Sequence, residues 1–183
     1  MTKDFSSQRL HVKAFAQAGG RLAGQDSLLK YERLAQEAKG LHPDLRVDWE
    51  AVGEMRQIAD GAAQVWLRLQ VRAGFPMECQ RCLTTVDVPL EVGRRFRFVA
   101  DEATAEALDD SCEEDLLAMS REFDLRALIE DELLMALPAV PKHDECPRPV
   151  AQAFPDDDFD AALAEKPNPF AALADLRKFR MGT

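Results

Sequence analysis

VWLRLQV, residues 65–71, alternates without a break: Val65, Leu67, Leu69 and Val71 are apolar, and Trp66, Arg68 and Gln70 stand between them. A period of two is the pattern of a strand with one face on a core and the other toward water. The same period runs upstream through LRVDWEA, residues 45–51, where Leu45, Val47 and Trp49 alternate with Arg46, Asp48 and Glu50. Between the two runs, DGA at 60–62 offers turn chemistry. Downstream, Val86, Val88, Leu90, Val92, Phe96 and Phe98 keep one phase, with Gly93 placed to permit a bulge at Arg94.

Outward from these strands the period changes to that of helices. DLRALIEDELLMALP begins with a capping residue, Asp124. Leu125, Leu128, Ile129, Leu133, Ala136 and Leu137 then fall on one face, and Pro138 ends the run. QDSLLKYERLAQEAKG predicts one amphipathic helix capped by Ser27 and stopped at Gly40. RLHVKAF predicts a short edge strand through Leu10 and Val12. Strands gathered in the middle with helices on either side predict an α+β fold: a central antiparallel sheet or partly open barrel with flanking helices. Residues 1–149 form the expected α+β domain, 150–169 an acidic, proline-bearing linker, and 170–183 a short C-terminal amphipathic helix.

The 183-residue chain carries a net charge of −10, opposite to the usual signature of a polyanion binder, so any nucleic-acid contact is expected to be local or made through a partner. No apolar run approaches a membrane span, and MTKDFSSQRL at the start has no secretory h-region; the expected location is the cytoplasm. Four cysteines in a chain of this length do not make a disulfide scaffold.

Two of those cysteines, Cys79 and Cys82, sit in ECQRCL between two strands. A structural zinc needs four ligands, and a CxxC turn supplies two. HDEC supplies the best second pair, His143 and Cys146, in a loop between Pro141 and Pro147. Roughly sixty residues separate Cys82 from His143, far more than a compact finger allows, so such a site would staple a loop onto the sheet. Plain burial of the thiols is the simpler alternative. A redox pair is expected at a helix N-terminus within a βαβ unit, which this is not. Cys112, alone among carboxylates, is the weakest candidate.

Catalytic motifs are missing: His11, His42 and His143 stand without a GxSxG, an HExxH or a phosphate loop, and no enzyme is expected. Glu130, Asp131 and Glu132 are expected to form a solvated helix face. GRRFRF places Arg94, Arg95 and Arg97 beside aromatics, as a phosphate-binding surface would. The plainer reading pairs Arg95 and Arg97 with Asp87 and Glu91 on a solvated face. In the C-terminal segment, Phe170, Leu173 and Leu176 share a helical face that could dock on a partner or fold back.

Three stretches, in order, carry a resemblance: ECQRCL, DLRALIEDELLMALPAVPKHDEC and KPNPFAALADLRK. Together they resemble the YceD family of large ribosomal RNA subunit accumulation proteins. The resemblance implies a non-enzymatic bacterial ribosome biogenesis factor needed for accumulation of 23S, large-subunit, ribosomal RNA. Its expected partners are that RNA or a precursor particle, and a basic ribosomal protein or assembly factor drawn to the acidic surface. An alternative is a zinc-stabilised module acting directly on RNA. Family members often carry the CxxC and a later cysteine-containing loop, which lends the Zn2+ reading support, although the later loop here offers His143 and one cysteine where some relatives offer more cysteines.

Overall fold

The computed structural model describes residues 5–57, 61 and 63–148. The strand that contains VWLRLQV, Ala63–Glu78, is the sixteen-residue spine of the sheet (β3), and the strands beside it are Arg46–Gln57 (β2) and Thr85–Val99 (β4). All three pair antiparallel, and apolar residues meet apolar residues across the ladder: Leu67 opposite Phe96, Val71 opposite Val92, Ala51 opposite Leu69. That register follows from the alternation, because a slip of one residue would turn every apolar side chain to water. Arg21–Ser27 (β1) pairs antiparallel with β2 at one edge, and Asp115–Ala118 (β5) pairs parallel with β4 at the other. The order β1-β2-β3-β4-β5 leaves the sheet open, and the fold is α+β.

Among the described helices, Val12–Gln17 (α1) and Leu125–Met135 (α4) cover the apolar face of the sheet. The first lies on β2 and β3, and α4 packs against β4 and against Glu32–Glu37 (α2). Phe15, Tyr31, Leu34, Leu125, Ile129 and Leu133 are fully buried with the inward strand residues. Gly53 shows how closely α1 sits: a Cβ there would meet the Ala16 backbone at 2.8 Å. Asp124 caps α4 through bonds from the backbone of Arg126 and Ala127 at 2.9 and 3.1 Å. Glu102–Asp109 (α3) packs against β5 and the end of β4. None of the described helices is long and apolar enough to cross a membrane. The expected linker at 150–169 and helix at 170–183, with Phe170, Leu173 and Leu176, lie outside the described residues.

Four local expectations are corrected. Leu10 makes only an isolated bridge to Phe123, and the chain turns helical at Val12, where the His11 ring accepts a bond from the Ala14 backbone. Val12, Phe15 and Ala16 form a helical stripe, which outweighs the short alternation read as a strand. The single helix expected from Ser27 to Gly40 is instead the end of β1, a 3-10 turn at Leu28–Lys30, and α2; Ser27 makes no side-chain cap. Burial of Tyr31 breaks it, with the phenol donating to Asp26. Gly93 makes no bulge, since β3 and β4 pair continuously through Leu69 opposite Arg94. Arg94 therefore stays in phase with the core side of β4.

The fourth correction concerns the acidic face of α4. Glu130 accepts bonds from the backbone of Arg33 and Leu34 at 2.7 and 3.2 Å and from the Arg33 guanidinium, so it caps α2 from another helix. Glu132 is only 5% exposed. Glu130→Ala is expected to cost about 2 kcal/mol in urea unfolding, since two amides and a guanidinium lose one acceptor.

Candidate metal centre

At the end of β3 the chain reverses within five residues. The Leu83 amide donates to the Cys79 carbonyl and the Cys79 amide to the Thr84 carbonyl, both at 2.9 Å, closing a knuckle that turns the two sulfurs to one side. Leu83 completes the reversal in the left-handed region, at φ +58°, and its side chain is 66% exposed. Few residues other than glycine adopt that conformation readily.

A second segment, the proline-bearing loop after α4, is tied to this knuckle by its backbone. The Gln80 amide donates to the Pro141 carbonyl at 2.9 Å, and the Arg81 guanidinium donates to the carbonyls of His143 and Asp144. These bonds bring His143 and Cys146 over Cys79 and Cys82. The four ligand atoms all lie within 4.8 Å of one another. Cys79 Sγ is 3.9 Å from Cys146 Sγ, and Cys82 Sγ is 3.5 Å from His143 Nδ1.

Those distances discriminate between chemistries. A disulfide holds its sulfurs about 2.05 Å apart, so the 3.9 Å pair is not one. A tetrahedral zinc with bonds of about 2.3 Å to sulfur and about 2.0 Å to nitrogen spaces two sulfurs about 3.8 Å apart, and a sulfur and a ring nitrogen about 3.5 Å. These two pairs have that spacing. His143 Nε2 lies 3.0 Å from the Thr85 carbonyl, which can only accept, so the ring proton sits on Nε2 and the Nδ1 lone pair faces the sulfurs.

The electrostatics point the same way. Burial would raise the Cys79 thiol, but amides of Cys82, His143 and Arg81, with the His143 ring, outweigh it and bring the group down to about 5. Thr84 is the main cause that lowers Cys82. Burial, and then the neighbouring Cys82 and Cys79, hold Cys146 above its ordinary value. Sulfurs that favour the thiolate form while crowding a third are the donor set a divalent cation completes. A cation held by all four would have no open position for a substrate, as in structural zinc sites.

The other candidates are dispersed. Cys112 lies apart, with its sulfur 3.7 Å from the Arg97 guanidinium. Arg97 also faces Glu114 at 3.8 Å, and Arg94 is bonded to both oxygens of Asp115 at 2.8 and 3.1 Å. Arg95 has no ion pair among the described residues. Two contributors escaped the sequence reading: Arg81, inside the CxxC itself, and Arg68, whose place opposite Arg95 only the register reveals.

The family model described as "Large ribosomal RNA subunit accumulation protein YceD" matches residues 67–177. A Haemophilus influenzae protein with that same name is 31% identical over 153 residues, which cover 80% of this chain and 82% of the relative. No solved structure matches the chain.

Proposed function

Since this chain belongs to the YceD family of large ribosomal RNA subunit accumulation proteins, we propose that it serves the accumulation of large-subunit ribosomal RNA as a non-enzymatic assembly adaptor. One observation supports the non-enzymatic part: Cys79, Cys82, His143 and Cys146 converge as a set that could ligate one ion completely, which would make this centre a structural one. Zn2+ held there would clamp the loop after α4 onto the end of the β-sheet, and Arg81 and Thr85 would orient the ligands from behind.

The adaptor reading rests on charge. A chain at −10 attracts basic ribosomal proteins over a distance, which speeds encounter at low salt. In sequence, Phe170, Leu173 and Leu176 have the spacing that would supply an apolar helical face for a partner's groove. Tagged protein drawn from cells in low salt is expected to bring down precursor large-subunit particles, quantified by mass spectrometry. Recovery of neither large-subunit proteins nor their ribosomal RNA above an untagged control would overturn the proposal.

A second reading, direct action on RNA by the zinc-stabilised domain, is favoured by Arg95, a strand cation without a carboxylate partner among the described residues.

A further inference from the structure

The face of the sheet opposite α1 and α4 is ordered in transverse rows by the register. One row runs Arg21, Val52, Arg68, Arg95 across β1 to β4, three cations with no acid among them. The next row holds Glu54, Trp66 and Arg97. On the other side lie Glu50, Gln70 and Gly93, where the glycine leaves a shallow groove beside Arg68 and Arg95.

Like charges directly opposite each other on neighbouring strands repel. Arg68 and Arg95 are such a pair, on a chain that is acidic overall. Glu54 forms an ion pair with Arg68 at 3.7 Å and is shared with Arg56 at 3.0 Å, and Arg21 is paired with Glu50 at 2.7 Å, so Arg95 is the cation of this row without an ion pair among the described residues. The Arg68 side chain is 39% exposed, and its outer donors together with those of Arg95 suit an anion that offers several acceptor oxygens.

The geometry points to the phosphodiester backbone of single-stranded RNA, lying over Arg68 and Arg95. This inference rests on the assembly reading above and names how the chain would touch its RNA. Two features favour a phosphate backbone over other anions. Guanidinium forks match phosphate oxygens bidentately. The cluster is only about 5 Å wide between strands, so it meets one backbone, not the two that flank a duplex groove. Base stacking is not offered: Trp66 is 6% exposed, with the Arg56 guanidinium 4.2 Å above its ring. Recognition is therefore of the backbone, tolerant of sequence and dependent on salt. Arg94, committed to Asp115 and Glu132, and Arg97, 17% exposed and facing Glu114 at 3.8 Å, stand outside the contact.

The test is fluorescence anisotropy of the full chain with a short labelled oligouridylate across a salt series. Two phosphate contacts predict a slope of log affinity against log salt of about −1.4, and Arg68→Gln/Arg95→Gln should bring it close to zero. The double variant should lose at least tenfold in affinity at low salt and melt near the wild-type temperature, because neither side chain belongs to the core. An unchanged slope overturns the inference, as does tighter binding of a matched duplex or of oligoglutamate. Pull-down of precursor particles separates the two proposals. Particles captured by the double variant at the wild-type level sink the arginine site and leave the assembly reading standing. A wild-type chain that captures none, yet binds oligouridylate with the expected slope, does the reverse.

Discussion

Chelation of protein purified without chelator is expected to release one zinc per chain and lower the melting temperature by about 10 °C. The size follows from mass action: an ion bound at a thousand times its dissociation constant stabilises the folded chain by about 4 kcal/mol, and each kcal/mol moves a domain of this size by about 2–4 °C. The loss should be local. Val65, Leu67, Leu69 and Val71 are buried in a core that the cluster does not touch, so the sheet survives while the loop at 138–146 detaches. Amide exchange should rise at Gln80, whose proton goes to Pro141, and stay slow through the middle of β3. Cys79→Ser should reproduce the chelated state, and Cys112→Ser, which changes a sulfur outside the cluster, should not. Zinc near zero in fresh protein, with melting indifferent to chelator, would mean that the thiols are only buried neighbours.

The contrast between Cys112 and the other three cysteines shows what was legible in advance. Two pairs at CxxC and HxxC spacing can be read from local sequence, because each turn aims its own ligands. The docking of one pair on the other depends on the Pro141 carbonyl that takes the Gln80 amide, the Arg81 guanidinium on the loop carbonyls and the Thr85 carbonyl on the His143 ring, which no spacing encodes. The strands were legible for a related reason. Period-two alternation is dictated by a sheet with one buried face, and that condition holds along most of β2, β3 and β4. It failed where tertiary contacts replaced local preference. Tyr31 was drawn into the core and broke a helix whose residues favour it, while Glu130 found its amides 97 positions away. Neither α3 nor β5 could be read, since a four-residue parallel strand owes its existence to the edge of β4.

Arg94 is where the two kinds of reading part most sharply, and Arg94→Ala is expected to destabilise the fold by about 3 kcal/mol without changing the salt slope for oligouridylate. The side chain looks like part of a basic patch, yet its phase puts it on the helix side of β4, 3.7 Å from Glu132 and bonded to Asp115. Glu132 is nearly buried, and burial, opposed by Arg94, holds its carboxyl above the ordinary value. Removing the guanidinium strands a buried charge, which costs more than a surface ion pair contributes; because Arg94 is 45% exposed, the loss falls at the lower end for such breaks. The pH dependence has a definite sign. A carboxyl raised in the folded state binds its proton there before the unfolded chain does, so lowering the pH into that window favours folding, and raising it through the folded value takes the advantage away. Arg94→Ala should widen the window upward, making the variant's deficit smaller in acid than at neutral pH. Glu132→Gln added to Arg94→Ala should recover most of the loss and remove its pH dependence in urea titrations. If the double variant is no more stable than Arg94→Ala, the buried carboxylate is not what Arg94 answers to, and its bond to Asp115 is the interaction that matters.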